Sequence, residues 1–467
     1  MAKTVIVIGG GISGLCCAWW MKKRGLNVTV LEKASSAGGT MKTQREEGWL
    51  IETGPNSALE TTPLFGELFN ELGITDKRRY ANEAATRRYI VKNGTLHPLP
   101  AGPGSFITSK LWSGSAKFRL LKEPFIGRAV KEESIAEFVR RRLGDEFLDY
   151  AIDPFVAGVY AGDPAQLSVQ SAFPKLYALE KNHGGLIRGA IASRKERKQR
   201  KEVAKDRARL FSFADGMETL PAAIATGLGD ALRTNTAVEH IVPMRAGKYP
   251  VYTISMRSEG EKSTMQADAI VLAAPARATA SMIRSIDPEM AKTLESINYP
   301  PLAEVFLGFK SEQVARKLDG FGFLVPKVEQ RKILGSIWAS TLFANRAPDG
   351  CVAFTSFVGG SRNPELVALD DAQLSALVVD ELNSLVGIQG SPVLTKVNRW
   401  EHAIPQYNIG YHTVLSAIDR FEQNFHGAYI CCNYRGGIAV GDCLMSAKKV
   451  ADRVVSQVHN LSTDAFL

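Results

Sequence analysis

Lys3 to Ile8 reads KTVIVI, an unalternating run of β-branched apolar residues that predicts a short strand buried on both faces, as in a parallel sheet. It leads straight into GGGISG and a helical stretch that continues to Arg24. Asn27 to Leu31 predicts the next strand. The same texture returns far along the chain, where ADAIVLAAP, Ala267 to Pro275, predicts a buried strand ending in small residues. Gly427 to Val455 then predicts a strand, a glycine-bearing turn and an amphipathic closing helix. Between these, AEVFLGF and CVAFTSFVGG suggest an antiparallel sheet, whereas residues from about 105 to 195 read as mostly helical. The pattern predicts an α/β fold: a Rossmann-like unit opened by the first strand and turn, a mixed-sheet unit and a helical subdomain.

Composition adds limits. A chain of 467 residues exceeds the usual size of one hydrophobic core, and 45% hydrophobic with 22% charged residues excludes a disordered or fibrous chain. The net charge of +9 is concentrated between Ser193 and Arg209, where nine Lys/Arg face three Asp/Glu. Such a run reads as a solvated segment or as a contact for anionic lipid headgroups. No nucleic-acid module accompanies it, so that partner is set aside. The six cysteines show neither CxxC nor metal-like spacing and read as free thiols in a reducing compartment. The first strand begins within a few residues of Met1, which leaves no room for a leader peptide, and no run of 18 apolar residues could span a bilayer. A cytoplasmic protein, free or resting on a membrane, is the expectation.

The chemistry starts at the first turn. Gly9, Gly11 and Gly14 fit GxGxxG between a strand and a helix, the context that makes this motif specific. The first glycine makes the tight turn, Gly11 lets backbone approach a pyrophosphate, and Gly14 allows the helix to pack on the strand. Gly10, Ile12 and Ser13 complete the turn and begin the helix whose N-terminus favours phosphate charge. Glu32, at the end of the second strand, is placed to accept hydrogen bonds from ribose hydroxyls, and Lys33 follows it. A second close backbone approach comes at AGGTMKT, with Gly39 and Thr40, and a turn rich in small residues follows at ETGPNS, with Gly54, Pro55, Asn56 and Ser57. This arrangement resembles two-dinucleotide flavoproteins and selects FAD over NAD.

In flavin oxidases of the amine oxidase type, a segment similar to Gly427–Val455 returns from the C-terminus to the cofactor. The resemblance places Ile438, Ala439, Val440 and Asp442 against FAD, with Val238 as a further contact and Trp400, in RWEHAIPQY, flanking the isoalloxazine ring. Glu401 and His402 follow Trp400, with no cysteine to form a flavin linkage, so noncovalent FAD is expected. The segment EFLDYAIDPFVAGVYAGDP, Glu146 to Pro164, is more discriminating. With RRYIVKNG, FGFLVP, NRAP and FVGGSRN it resembles oxygen-dependent protoporphyrinogen oxidase over nearly the whole chain, most of all the plant mitochondrial type.

That resemblance implies oxidation of protoporphyrinogen IX, with three rounds of hydride transfer to FAD, reoxidation by oxygen and release of hydrogen peroxide. It implies that Arg88 holds a propionate, that Leu302, Leu318 and Trp338 sandwich the tetrapyrrole, and that the backbone of Gly158 faces the pyrrole nitrogens. Trp338 stands where the plant enzymes have phenylalanine. No metal site and no general base among the seven histidines is indicated. The implied units are 1–80, 208–280 and 421–467 for FAD, 81–104 and 281–420 for substrate, and 105–207 for a helical, membrane-binding region. A homodimer and a handover of product to ferrochelatase are compatible partner arrangements. Coproporphyrinogen III oxidation, amine oxidation and a non-catalytic flavin-binding role stay open as alternatives.

Overall fold

The computed structural model describes residues 3–85, 87–192, 208–246 and 249–463. The strand Thr4–Ile8 lies at the centre of a five-stranded parallel sheet, flanked by Asn27–Leu31 and Ala269–Leu272, with Leu232–Arg233 and Ala428–Ile430 at the edges. Helices on both faces explain why the central strand is apolar at every position from Val5 to Ile8. The first helix, Ile12–Lys23, is apolar nearly all round because the closing helix Val440–Thr463 and the helix Thr219–Leu228 pack against it. Sequence segments from the start, middle and end of the chain thus share one sheet.

A three-stranded antiparallel sheet, Thr236–Ala246, Tyr249–Ser258 and Glu261–Ala267, leads into this layer. A separate seven-stranded mixed sheet is ordered Leu394–Trp400, Leu302–Lys310, Cys351–Gly359, Ile333–Trp338, Gly320–Leu324, Arg87–Lys92 and Thr95–Pro98. Arg87–Lys92 runs parallel to Gly320–Leu324, and the other pairs are antiparallel. The helix Asp371–Val386 covers one face of this sheet, its start fixed by a capping box between Asp370 and Gln373. The helix Asp153–Tyr160 packs on the other face.

Short helices fill 103–192 and are held by a buried ion cluster. The fully buried Arg142 donates to Glu123 and Glu180, each at 2.7 Å, and Arg141 adds bonds to Glu133 and Glu180. Outside this cluster, Ile107, Phe118, Leu121, Phe125 and Val130 are exposed. Among the described residues no helix is long and apolar enough to cross a membrane. Nearly all of the basic run, residues 193–207, lies outside the described residues; Arg209 is described and stacks its guanidinium on Tyr80. All six cysteines are free, and five are buried.

Candidate flavin and substrate site

The three glycines of the first turn differ in what surrounds them. Gly9 has φ +111°, and a Cβ there would lie 2.8 Å from the Ala273 carbonyl. A Cβ on Gly14 would stand 2.1 Å from the Gly9 oxygen, so the helix sits hard against the turn. At Gly11 a Cβ would meet no protein atom within 4 Å. Backbone at this point therefore faces open space, at the start of a helix, which is the cradle a pyrophosphate needs. Gly38 donates to the Gly10 carbonyl at 2.8 Å, and a Cβ on Gly39 would lie 3.2 Å from the Gly11 Cα. Thus Gly11, Gly39 and the neighbouring, exposed Thr40 border one opening.

Glu32 is fixed rather than swinging: its Oε2 accepts from Gly10 N–H at 2.6 Å and its Oε1 from Ala34 N–H at 2.8 Å. Each carboxylate oxygen keeps a further lone pair for a ribose hydroxyl. Thr236 N–H donates to the Glu32 carbonyl, which brings Val238 to the same end of the sheet, while Lys33 is exposed beside it. From the other end of the chain, Gly437 N–H donates to Tyr407 Oη at 3.1 Å, ordering the turn before the closing helix. A Cβ on Gly441 would lie 2.7 Å from Thr61 Oγ1, so the start of the closing helix abuts the N-terminal unit, and Ile438, Ala439, Val440 and Asp442 are its neighbours in sequence.

The turn Glu52–Ser57 joins the two large sheets. A Cβ at Gly54 would come within 2.0 Å of the Thr40 carbonyl. The Thr53 carbonyl accepts from Asn398 Nδ2 at 3.1 Å and from Trp400 Nε1 at 3.0 Å, anchoring Trp400 on the sheet edge. Asn56 Nδ2 donates to the Gly54 carbonyl at 3.1 Å and to Glu304 Oε1 at 2.8 Å; Pro55 and Ser57 flank it, half-buried. Glu304 was not singled out in the sequence. The signal was a lone carboxyl in the otherwise apolar run AEVFLGF. Burial pushes its pKa up to about 8, and burial also raises that of Glu52, to about 7.

On the substrate side the adjacent arginines have different fates. Arg87 is paired with Asp319 at 2.6 Å, and Tyr89 Oη donates to the same carboxylate at 2.6 Å. Arg88 has no carboxylate partner among the described residues, and its guanidinium lies 5.4 Å from the Phe321 ring. The residue is exposed, and desolvation lowers the pKa of its guanidinium, which stays ionised nonetheless. Gly158 is exposed on the helix Asp153–Tyr160, where a Cβ would lie 2.4 Å from Leu324 Cδ2. That helix is tied to the sheet by Asp153, which pairs with Arg362 at 3.0 Å and accepts from Lys327 N–H at 2.6 Å.

Leu302, Leu318 and Trp338 are not brought to one surface. Leu302 packs with Ala157, Ala161 and Leu334, facing the Asp153–Tyr160 helix. Trp338 is fully buried in the opposite layer, with its ring 5.6 Å from Tyr89, and the half-buried Leu318 packs on that same layer. Register gives the reason. Trp338 lies opposite Phe354, and Phe354 opposite Leu307, so all three share a face; Leu302 is five positions from Leu307 and points the other way. The expectation that Trp338 stacks on substrate is therefore corrected to a core role in this structure.

Comparison with known proteins agrees with this geometry. The flavin containing amine oxidoreductase family matches residues 12–455. The chain is 36% identical to the mitochondrial protoporphyrinogen oxidase of Nicotiana tabacum, over 99% of this chain and 97% of that protein. It is 29% identical to the coproporphyrinogen III oxidase of Bacillus subtilis, over 96% of each. A solved structure from Exiguobacterium sp. 255-15 shares the fold with a TM-score of 0.79 at 23% identity, covering 97% of this chain and 99% of that one. FAD is the cofactor of this family, and the open backbone at Gly11, the fixed Glu32 carboxylate and the pinned Trp400 fit it. The chain belongs to the flavin containing amine oxidoreductases, as a flavin oxidoreductase of the protoporphyrinogen oxidase family.

Proposed function

We propose that this protein oxidises protoporphyrinogen IX to protoporphyrin IX with oxygen as acceptor, on noncovalently held FAD. The observation that carries the choice is the Arg88 guanidinium, which has no carboxylate partner among the described residues and lies by the Phe321 ring, beside an Arg87 already neutralised by Asp319. One free, bidentate cation suits a substrate with two propionates on one side. Four propionates would call for more cations, and the neighbouring Lys92 is engaged with the Leu111 carbonyl at 2.7 Å. Bound FAD supplies the hydride acceptor. The residues do the positioning: Arg88 holds the carboxylate beside the apolar layer in which the Gly158 helix packs on Leu324 and Leu302.

The test is anaerobic mixing of the yellow protein with protoporphyrinogen IX or coproporphyrinogen III, followed by loss of flavin absorbance. Faster bleaching by protoporphyrinogen IX is expected; preference for coproporphyrinogen III would transfer the assignment to that substrate, and bleaching by neither would favour a non-catalytic flavin protein. Bleaching by a primary amine instead would point to amine oxidation.

The reading includes a membrane surface as partner. Phe118, Leu121 and Phe125, the last 83% exposed, stand among the exposed cations Lys122, Arg128 and Lys131, a composition that suits the interface of an anionic bilayer. Each apolar side chain buried in lipid contributes roughly 1.5–3 kcal/mol. Replacing all three by Asp is expected to lower partition into phosphatidylserine vesicles more than about tenfold, measured by flotation at low salt. Unchanged partition would remove the membrane from the proposal.

A further inference from the structure

Glu304 and Glu52 are two buried carboxyls with less positive charge around them than they need. Glu304 is 3% exposed and Glu52 4% exposed. Glu304 projects from the strand Leu302–Lys310 on the face it shares with Leu302, two positions away, and receives a hydrogen bond from Asn56 Nδ2 at 2.8 Å. Glu52 accepts from Thr43 Oγ1 at 2.7 Å and from Met217 N–H at 2.9 Å. The charged groups around the pair are few. Glu52 itself is the charge that acts on Glu304; Glu52 in turn faces Arg346 at 3.5 Å and Glu218, and Arg346 feels Arg45. Glu218 is already bound to Lys42 at 2.9 Å and Arg45 to Asp215 at 2.7 Å.

We propose that Glu304, linked through Asn56 to the turn that borders the flavin cradle, is a positioning residue whose charge state is felt by bound FAD and so makes its reduction potential depend on pH. The inference rests on the FAD-site reading above. Hydride transfer carries two electrons and one proton and leaves the cofactor with one additional negative charge. A neutral carboxylic acid next to that charge opposes it little, while a carboxylate in a poorly solvated site opposes it strongly. Burial first, and then the Glu52 charge, hold Glu304 protonated up to about pH 8, with the Asn56 hydrogen bond acting in the other direction. The sign follows: as pH rises through that range Glu304 loses its proton, a negative charge forms, and reduction becomes harder. Linkage requires the converse, that reducing the flavin makes Glu304 hold its proton more tightly.

The test compares holoprotein and a Glu304→Gln variant, which keeps the shape and the contact with Asn56 but carries no titrating proton. The flavin midpoint potential is measured against pH, from about pH 6 to about pH 9. In the wild type it is expected to fall more steeply above about pH 8 than in the variant, whose excess slope is lost. Identical slopes in two proteins that both hold FAD would overturn this proposal and leave the FAD reading intact; a wild type that binds no FAD would overturn both. Infrared spectroscopy gives a second measurement: a buried protonated-carboxyl C=O band present at neutral pH in the wild type and missing from the Glu304→Gln variant supports the proposal, and the same band in both proteins refutes it.

Discussion

A Gly11→Val protein is expected to fold normally and to purify without yellow colour. A Cβ at this position meets nothing of the protein within 4 Å, and the backbone there is extended with φ −71°, which valine adopts freely. The added side chain enters only the space that a pyrophosphate must occupy, so its effect falls on binding and spares folding. Loss of the close backbone approach should weaken FAD affinity at least about 100-fold, equivalent to about 2.7 kcal/mol, while the melting temperature of the apoprotein stays near that of wild type. Gly14→Val makes the contrast: its Cβ would be 2.1 Å from the Gly9 oxygen, and that protein should lose stability with or without cofactor. Equilibrium dialysis with FAD and thermal unfolding of the apoproteins separate the two. Full flavin occupancy in the Gly11→Val protein would mean that the dinucleotide does not cross this turn.

The second large effect is expected at Arg88. Charge-assisted hydrogen bonds contribute roughly 1.5–3 kcal/mol each, so Arg88→Ala should raise KM for the porphyrinogen about 10- to 100-fold with kcat altered far less. Arg88→Lys should recover part of this, because a lysine keeps the charge and loses the bidentate fork. Arg87→Ala should leave KM nearly unchanged, since the Arg87 guanidinium is spent on Asp319 at 2.6 Å. Steady-state fluorescence of the porphyrin product measures all three. Equal KM values for Arg88→Ala and Arg87→Ala would place the propionate elsewhere.

The legible parts of the sequence were those whose meaning is local. KTVIVI followed by GGGISG states a buried strand and a phosphate-binding turn within a dozen residues, and Thr4–Ile8 and Ile12–Lys23 are where that reading puts them. The closing segment was legible for the same reason, with Ala428–Ile430 as the strand and Val440–Thr463 as the helix. Trp338 was not. The family resemblance placed it against a flat substrate, but which face a strand residue takes depends on register, and the strand Ile333–Trp338 shifts register between Ile333 and Gly335. One slipped residue reverses every side chain after it, and no neighbouring sequence announces the slip.

Sequence alone therefore determined the α/β class, the dinucleotide turn and the family likeness, because glycine spacing and apolar runs act through steric limits on a few adjacent residues. Tertiary structure decided which polar groups are isolated from water and which are paired. Asn56 and Glu304 meet across 248 positions, Trp400 reaches the Thr53 carbonyl across 347, and of two adjacent arginines Arg87 pairs with Asp319 while Arg88 has no carboxylate partner among the described residues. Those outcomes follow from desolvation and long-range contact, whose free energies depend on what the folded chain brings alongside each group rather than on the residues next to it in sequence.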